Sequence, residues 1–180
     1  DQRQIYQAII VDNLEKAKSE SGYISTKNMI NQFQFLTLVL NNPAILKKHS
    51  ETLNNESLKK LIDRWKFTKH CKLPAATSLL DKYLEQGKKV IVWSGHPDTI
   101  EDMAHFYKKH KPFMIHGNMD FKGTTRDKYR DSMVEEFKNS EDRNVLIASY
   151  KVLSTAVNLT EATRNIYFDR SYSLTDWLQS

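Results

Sequence analysis

The sequence predicts an α/β fold with a parallel sheet flanked by helices, preceded by a helical segment. Short, continuous apolar runs at residues 90–93 and 145–148 are typical of strands that are covered on both faces. Segments with helical periodicity separate these runs, and strands that alternate with helices of ten to fifteen residues form βαβ units. Before residue 72 the apolar side chains follow helical spacing only. We therefore expect a helical first part, residues 1–72, and an α/β second part, residues 73–180.

Three helices are expected in the first part, because apolar residues recur there every three to four positions. The helices are predicted at 2–18, with Ile5, Ala8, Ile9 and Leu14 on the apolar side; at 28–40, with Met29, Phe33, Leu36 and Leu40; and at 57–67, with Leu58, Leu61, Ile62 and Trp65. Pro43 cannot continue a helix, so the second helix ends before it. Residues 50–55 are polar and predict a connector.

The second part alternates helices and strands in chain order. Helices are predicted at 75–85, 98–109 and 124–138, and strands at 89–93, 112–115, 144–148 and 165–168. Gly87 stops the first of these helices, because glycine readily adopts the left-handed conformation that ends a helix. Thr124 and Asp127 have the spacing of a capping box at the start of the last helix. Trp93, within an apolar strand, is expected in the core.

Composition excludes several classes of protein. With 39% hydrophobic residues, 5 Gly and 4 Pro in 180 residues, the chain is unlike disordered or low-complexity sequences. The single cysteine, Cys71, cannot form an internal disulfide, which favours a reducing, cytoplasmic or nuclear location. No apolar stretch approaches the roughly 20 residues of a membrane span, so no membrane partner is expected. The six histidines lack metal-ligand spacing, and we expect no metal site. Since residue 1 is not Met, we expect the chain to be processed or excised from a longer one.

The candidate site lies at the carboxyl ends of the strands, where open parallel sheets bind ligands. Three loops follow predicted strands there: residues 94–97, 116–118 and 149–151. The first loop opens onto a helix N-terminus, which suits an anion such as phosphate. Turn chemistry alone also demands such small and polar residues, so each loop taken singly has a structural explanation. A net charge of +5 permits a polyanionic partner without requiring one.

A basic region lies at the end of the first part. Its cations have only Asp63 to offset them and comprise Lys59, Lys60, Arg64, Lys66, Lys69 and Lys72. These residues fit either contacts to a nucleic-acid backbone or the solvated face of an amphipathic helix.

Taken together, these segments resemble the C-terminal lobe of Swi/Snf-type, helicase-superfamily-two ATPases. Residues 87–94 are similar to motif IV, residues 145–160 to motif V, and residues 166–169 with 177–179 to the strand and entry of motif VI. Residues 115–119, with Arg126 and Phe137, are similar to the intervening block, and residues 41–46 to a helix that ends in an Asn-His-Pro-type turn. The segments occur in the family's order over nearly the whole chain.

This resemblance implies a RecA-like parallel sheet with an N-terminal helical extension, acting as the second motor lobe of an ATP-dependent DNA translocase. Duplex DNA is the implied partner, bound through its backbone, together with the missing N-terminal RecA-like lobe; ATP with Mg²⁺ is the implied cofactor of the two-lobed protein. The implied nucleic-acid contacts are Ser94, His96, His116, Ser149 and Lys151, and the implied contacts in the interlobe ATP cleft are Asn158 and Gln179.

The resemblance also implies that this chain holds only half of an ATP site. In the family the first lobe supplies the phosphate-binding Lys, and this chain has no G-x-x-x-x-G-K-[ST] sequence. The family's motif VI arginines would follow Gln179, so we expect a lobe truncated within motif VI that does not hydrolyse ATP alone. The chain departs from the family pattern in two places. Where family members have a Gly-rich stretch in motif V, this chain has Val-Leu-Ser-Thr-Ala at 152–156, and where they have a Ser/Thr-Thr pair after the third strand, it has Ser149 and Tyr150. Two alternatives stay open: a non-catalytic α/β module that binds nucleic acid or protein, and a small nucleotide- or sugar-phosphate-binding enzyme.

Overall fold

The computed structural model describes residues 1–19, 26–52, 55–119, 123, 125–153, 159 and 162–170. The chain divides into two compact units, Asp1–Cys71 and Lys72–Ser180. The boundary predicted from the sequence lies one residue after this division.

The first unit is helical. It contains α1 (Gln2–Ser19), α2 (Thr26–Asn41), a 3₁₀ segment (Pro43–Thr52), α3 (Glu56–Asp63) and a 3₁₀ turn (Phe67–Lys69). Its core is a cluster of side chains from the helices and the segments between them: Ile5, Ile9, Val39, Leu46, Leu58, Ile62 and Trp65. The packing of these apolar faces against one another stabilises helices that would be marginal alone.

Two predictions for the first unit are wrong. The apolar stripe of α2 is predicted on Met29, Phe33, Leu36 and Leu40. Leu36 packs against the core, but Phe33 and Leu40 are 66% and 45% exposed, whereas Val39 is fully buried. The third helix was predicted to reach residue 67 but ends at Asp63, and Lys66 is extended. The break lets Trp65 pack edge-on against Phe67, with 6.2 Å between ring centroids.

The second unit holds a four-stranded, all-parallel sheet. Its elements are α4 (Leu73–Glu85), β1 (Lys89–Ser94), α5 (Pro97–Phe106), β2 (Phe113–Ile115), α6 (Arg126–Asn139), β3 (Val145–Ser149), α7 (Tyr150–Leu153) and β4 (Ala162–Tyr167). The strand order is β2-β3-β1-β4, with every neighbouring pair parallel. Every residue of β3 is buried, as is every residue of β1 after Lys89, and Trp93 is only 3% exposed. The predicted parallel α/β fold is therefore confirmed.

Several element boundaries differ from prediction. Helix α4 begins at Leu73 rather than at residue 75, and β4 runs from Ala162 to Tyr167 rather than over 165–168. Helix α5 ends at Phe106, and a 3₁₀ turn with left-handed Lys111 (φ 47°) follows where the helix was predicted to continue. The N-cap of α6 is Thr125, whose hydroxyl accepts a hydrogen bond from the Lys128 amide. Thr124, predicted to form a capping box with Asp127, lies outside the described residues. Helix α7 was not predicted, because four residues are too few to show a period.

Within the described ranges, no helix is long and apolar enough to cross a lipid bilayer.

Candidate functional site

The strand register brings the predicted loops to one edge of the sheet. Ser94 at the end of β1 lies opposite Ser149 at the end of β3. On the other side of β1, Trp93 lies opposite Tyr167, which places Asp169 just beyond the end of β4. Because parallel strands end at a common edge, the turns that follow β1, β3 and β4 form a single surface.

A buried carboxylate joins these turns. Asp169 is 4% exposed and accepts hydrogen bonds from the hydroxyl of Ser94, from the Gly95 amide at 2.8 Å and from the Tyr150 phenol at 3.2 Å. A buried carboxylate is costly unless such donors surround it. Asp169 therefore ties the β1–α5 turn and the start of α7 to the end of β4.

Gly95 is required by the position of Tyr150. A Cβ atom at residue 95 would lie 2.0 Å from the Tyr150 phenol oxygen and 2.6 Å from the ring carbon that bears it. No side chain fits at that distance from the edge of a buried ring. The tyrosine and the glycine therefore form a matched pair, one filling the space that the other leaves empty.

His96 precedes α5 at the N-cap position and is partly exposed. Its backbone amide donates a hydrogen bond to the Ser94 hydroxyl at 3.3 Å. Burial is the main cause that lowers the pKa of His96 below its ordinary value of 6.5; Lys151 lowers it further, while Asp169 opposes both. The imidazole is therefore mostly neutral at pH 7 and is a hydrogen-bonding group rather than a cation.

His116, after β2, is buried rather than presented to solvent. Its side chain is 2% exposed, its Nδ1 atom accepts from the Asn118 amide at 3.3 Å, and its Nε2 atom lies 3.4 Å from a carboxylate oxygen of Glu101. Burial lowers the pKa of His116, and the nearby Glu101 carboxylate raises it by less. His116 thus anchors the turn after β2 from inside.

Two cationic side chains among the described residues act on His96 at this edge, Lys72 and Lys151. Lys72 donates to the Phe168 carbonyl at 3.0 Å, and its ammonium lies 5.5 Å from the Phe168 ring centre. Lys151, on α7, is exposed. Both lysines lower the pKa of His96.

The predicted site residues thus fall into three groups. His96 and Lys151 are accessible at the strand ends; Ser94, Ser149 and His116 lie at the same ends but are buried, at 0%, 3% and 2% exposure. Asn158 and Gln179 lie outside the described residues. The nucleic-acid and nucleotide contacts assigned to all seven stay predictions.

Sequence reasoning missed Asp169, Tyr150 and Gly95 as a unit. Each had a weak signal: an aspartate directly after a strand, a tyrosine where the family has a small hydroxyl residue, and a glycine directly after Ser94. Their proximity follows only from the strand order, which places β1 between β3 and β4.

The chain is similar to known proteins along its whole length. The family model described as "Helicase conserved C-terminal domain" matches residues 71–180. Protein CHROMATIN REMODELING 8 of Arabidopsis thaliana is 24% identical over 180 residues, which is 100% of this chain and 14% of that protein. An uncharacterized ATP-dependent helicase of Mycoplasma pneumoniae is 28% identical over 168 residues, 92% of this chain and 14% of that protein. The chain thus spans about a seventh of the length of these two relatives.

Solved structures show the same fold. The Sulfolobus solfataricus SWI2/SNF2 ATPase C-terminal domain superposes with a TM-score of 0.68 at 19% identity, covering 94% of this chain and 67% of that one. The ATPase core of the same organism in complex with dsDNA superposes with a TM-score of 0.67 at 19% identity, covering 94% of this chain and 32% of that one. Both the RecA-like fold and the resemblance to the Swi/Snf-type lobe are confirmed, and the chain belongs to the helicase conserved C-terminal domain family.

Proposed function

We propose that this chain is the second motor lobe of an ATP-dependent DNA translocase or helicase-like protein. In this role it grips the DNA backbone and supplies half of an ATP site between two lobes. The observation that carries the proposal is the strand-end edge, where exposed Lys151 and neutral His96 stand on turns fixed by buried hydrogen bonds. Residues 1–72 are then a helical extension of the lobe.

DNA backbone binding is supported by the chemistry of this edge. A lysine needs no sequence-reading geometry to pair with a phosphate, and a neutral imidazole can donate one hydrogen bond to a phosphate oxygen. Asp98, in the first turn of α5, opposes an anion there, so the cationic side of the edge at Lys151 is the better phosphate site. The similar ATPase core in complex with dsDNA is consistent with duplex as the partner.

ATP and Mg²⁺ belong to the assembled two-lobed protein in this proposal. The 180-residue sequence contains no phosphate-binding loop of the G-x-x-x-x-G-K-[ST] type. In the part of the chain that the structure describes, no three His, Cys, Asp or Glu side chains group to hold a metal ion. The chain would add Asn158 and Gln179 to a nucleotide whose phosphates and metal another lobe holds. ATP added to this chain alone is therefore expected to leave its melting temperature unchanged.

The test is the affinity of the chain for a fluorescently labelled duplex, measured by anisotropy between 50 and 200 mM salt. Lys151→Met should weaken binding and reduce the slope of log K against log salt by about 0.9, the value for one lost phosphate contact. Lys82→Met, which removes an exposed lysine from the last turn of α4, is the charge-matched control and should leave the slope nearly unchanged. Absence of binding by the unmodified chain, or equal effects of the two substitutions, would contradict the proposal.

A further inference from the structure

Two of the turns proposed to grip DNA are held together by hydrogen bonds to one buried carboxylate. The Ser94 hydroxyl and the Gly95 amide come from the turn after β1, and the Tyr150 phenol comes from the turn after β3. All three donate to the carboxylate of Asp169, and the side chains of Ser94, Tyr150 and Asp169 are each at most 5% exposed. The cluster is therefore buried, and it adjoins the two accessible side chains, because Gly95 directly precedes His96 and Tyr150 directly precedes Lys151 in the sequence.

The geometry leaves little freedom to either turn. The carboxylate uses both oxygens, one for Ser94 and the other for Gly95 and Tyr150, so it cannot rotate without breaking a bond to one turn. The Tyr150 ring in turn fills the space beside Gly95, where a Cβ atom would lie 2.0 Å from the phenol oxygen. Hydrogen bonds and steric fit thus fix the same distance between the two turns.

We infer that Asp169 and Tyr150 are positioning residues that preform the DNA-backbone grip. They hold the turn bearing His96 and the turn bearing Lys151 at a fixed separation, so that neither turn has to be ordered when a phosphate binds. This inference rests on the proposed function. It also explains why a tyrosine stands where the family has a small hydroxyl residue: its phenol reaches the carboxylate from α7, and Gly95 makes room for it.

The test is a set of variants compared for duplex affinity, salt slope and hydrogen exchange of the Gly95 amide. Asp169→Asn replaces an acceptor oxygen with an NH2 group, and we expect affinity to fall about tenfold, as for loss of one hydrogen bond to a charged group. The salt slope should fall as well, although Lys151 is intact, because its turn no longer presents it. Tyr150→Phe keeps the ring and removes one donor, and its affinity for duplex should fall about threefold. This variant tests the inference if Asp169→Asn fails to fold.

Gly95→Ala tests the steric half of the inference. This substitution should weaken DNA binding and speed hydrogen exchange of the residue 95 amide. In the double variant Gly95→Ala, Tyr150→Thr the clash is gone, so affinity and exchange rate should both return to the values of the single variant Tyr150→Thr. Such rescue is not expected of a general loss of stability, which two destabilising changes would worsen.

The outcomes separate the two proposals. If Lys151→Met weakens binding while Asp169→Asn and Gly95→Ala bind and exchange as the unmodified chain does, the positioning inference fails and the proposed function stands. If the unmodified chain does not bind duplex at all, the proposed function fails, and the inference that rests on it fails with it.

Discussion

Lys89 shows how a single cation stabilises a helix end. Its ammonium lies at the C-terminus of α6, 5.2 Å from the centre of the Phe137 ring. It donates to the carbonyl oxygens of Phe137 and Lys138 in the last turn of the helix and to that of Ser140, the C-cap residue. Since the last carbonyls of a helix carry partial negative charge, one lysine here satisfies hydrogen bonds and the helix dipole together.

Replacing Lys89 with Met should therefore lower the free energy of unfolding by about 1–3 kcal/mol, the range for losing hydrogen bonds to a charged group. Urea denaturation followed by circular dichroism measures this. Lys128→Met, at an exposed position in the first turns of α6, is the control and should change stability by less than about 0.5 kcal/mol. Equal effects at both positions would show that the three carbonyl bonds contribute nothing.

Single residues of the site were predictable only where a local pattern marks them. Ser94, His96, Ser149 and Lys151 follow directly after apolar strands, so their arrival at one edge could be predicted from the strand-end rule alone. Whether a side chain faces out or in could not, because the hydroxyl of Ser94 turns inward to Asp169, a residue 75 positions away. Contacts at such separations have no periodic signal in the sequence.

At the scale of elements, the strands were easier to predict than the helix phases. β1 and β3 are buried on both faces, so their apolar runs are unbroken and leave little ambiguity. The second helix has apolar residues on more than one side, and packing selected Val39 over Phe33 for the core. The period of an apolar pattern predicts whether a segment is a helix or a strand, but tertiary contacts decide which of several apolar faces of a helix is buried.

Helix α3 begins at a cap that can be tested separately from its core. The Asn55 side chain accepts a hydrogen bond from the Leu58 amide at 3.0 Å, and Glu56 adds a negative charge in the first turn. Asn55→Ala should lower the free energy of unfolding by about 1 kcal/mol, since one helix-end amide loses its acceptor. Asn55→Asp keeps an acceptor and should be close to neutral, again by urea denaturation. A loss with Asp as large as with Ala would argue against the capping role.

At the scale of the molecule, we expect three histidines of the described residues to make stability depend on pH. Burial is the largest cause that lowers the pKa of His96, His110 and His116 below the ordinary 6.5. The folded chain therefore binds fewer protons than the unfolded chain just below pH 6.5. Stability rises with pH wherever the unfolded state holds more protons. The contribution of these histidines to the free energy of unfolding is therefore fully present above about pH 6.5 and is lost as pH falls through their lowered pKa values.

We accordingly expect the free energy of unfolding to be nearly constant from pH 8 to 7 and to decline from pH 6.5 to 5.5, before most carboxylates titrate. His116→Asn should make this decline shallower, because an amide oxygen can replace Nδ1 as the acceptor for Asn118 and carries no titrating proton. His105→Asn, at an exposed position on α5, is the matched control and should leave the slope as it is. If the decline is as steep in His116→Asn as in the unmodified chain, protonation of this buried imidazole does not oppose folding. If the free energy of unfolding instead rises as pH falls, the direction of the pH dependence expected from all three histidines is wrong.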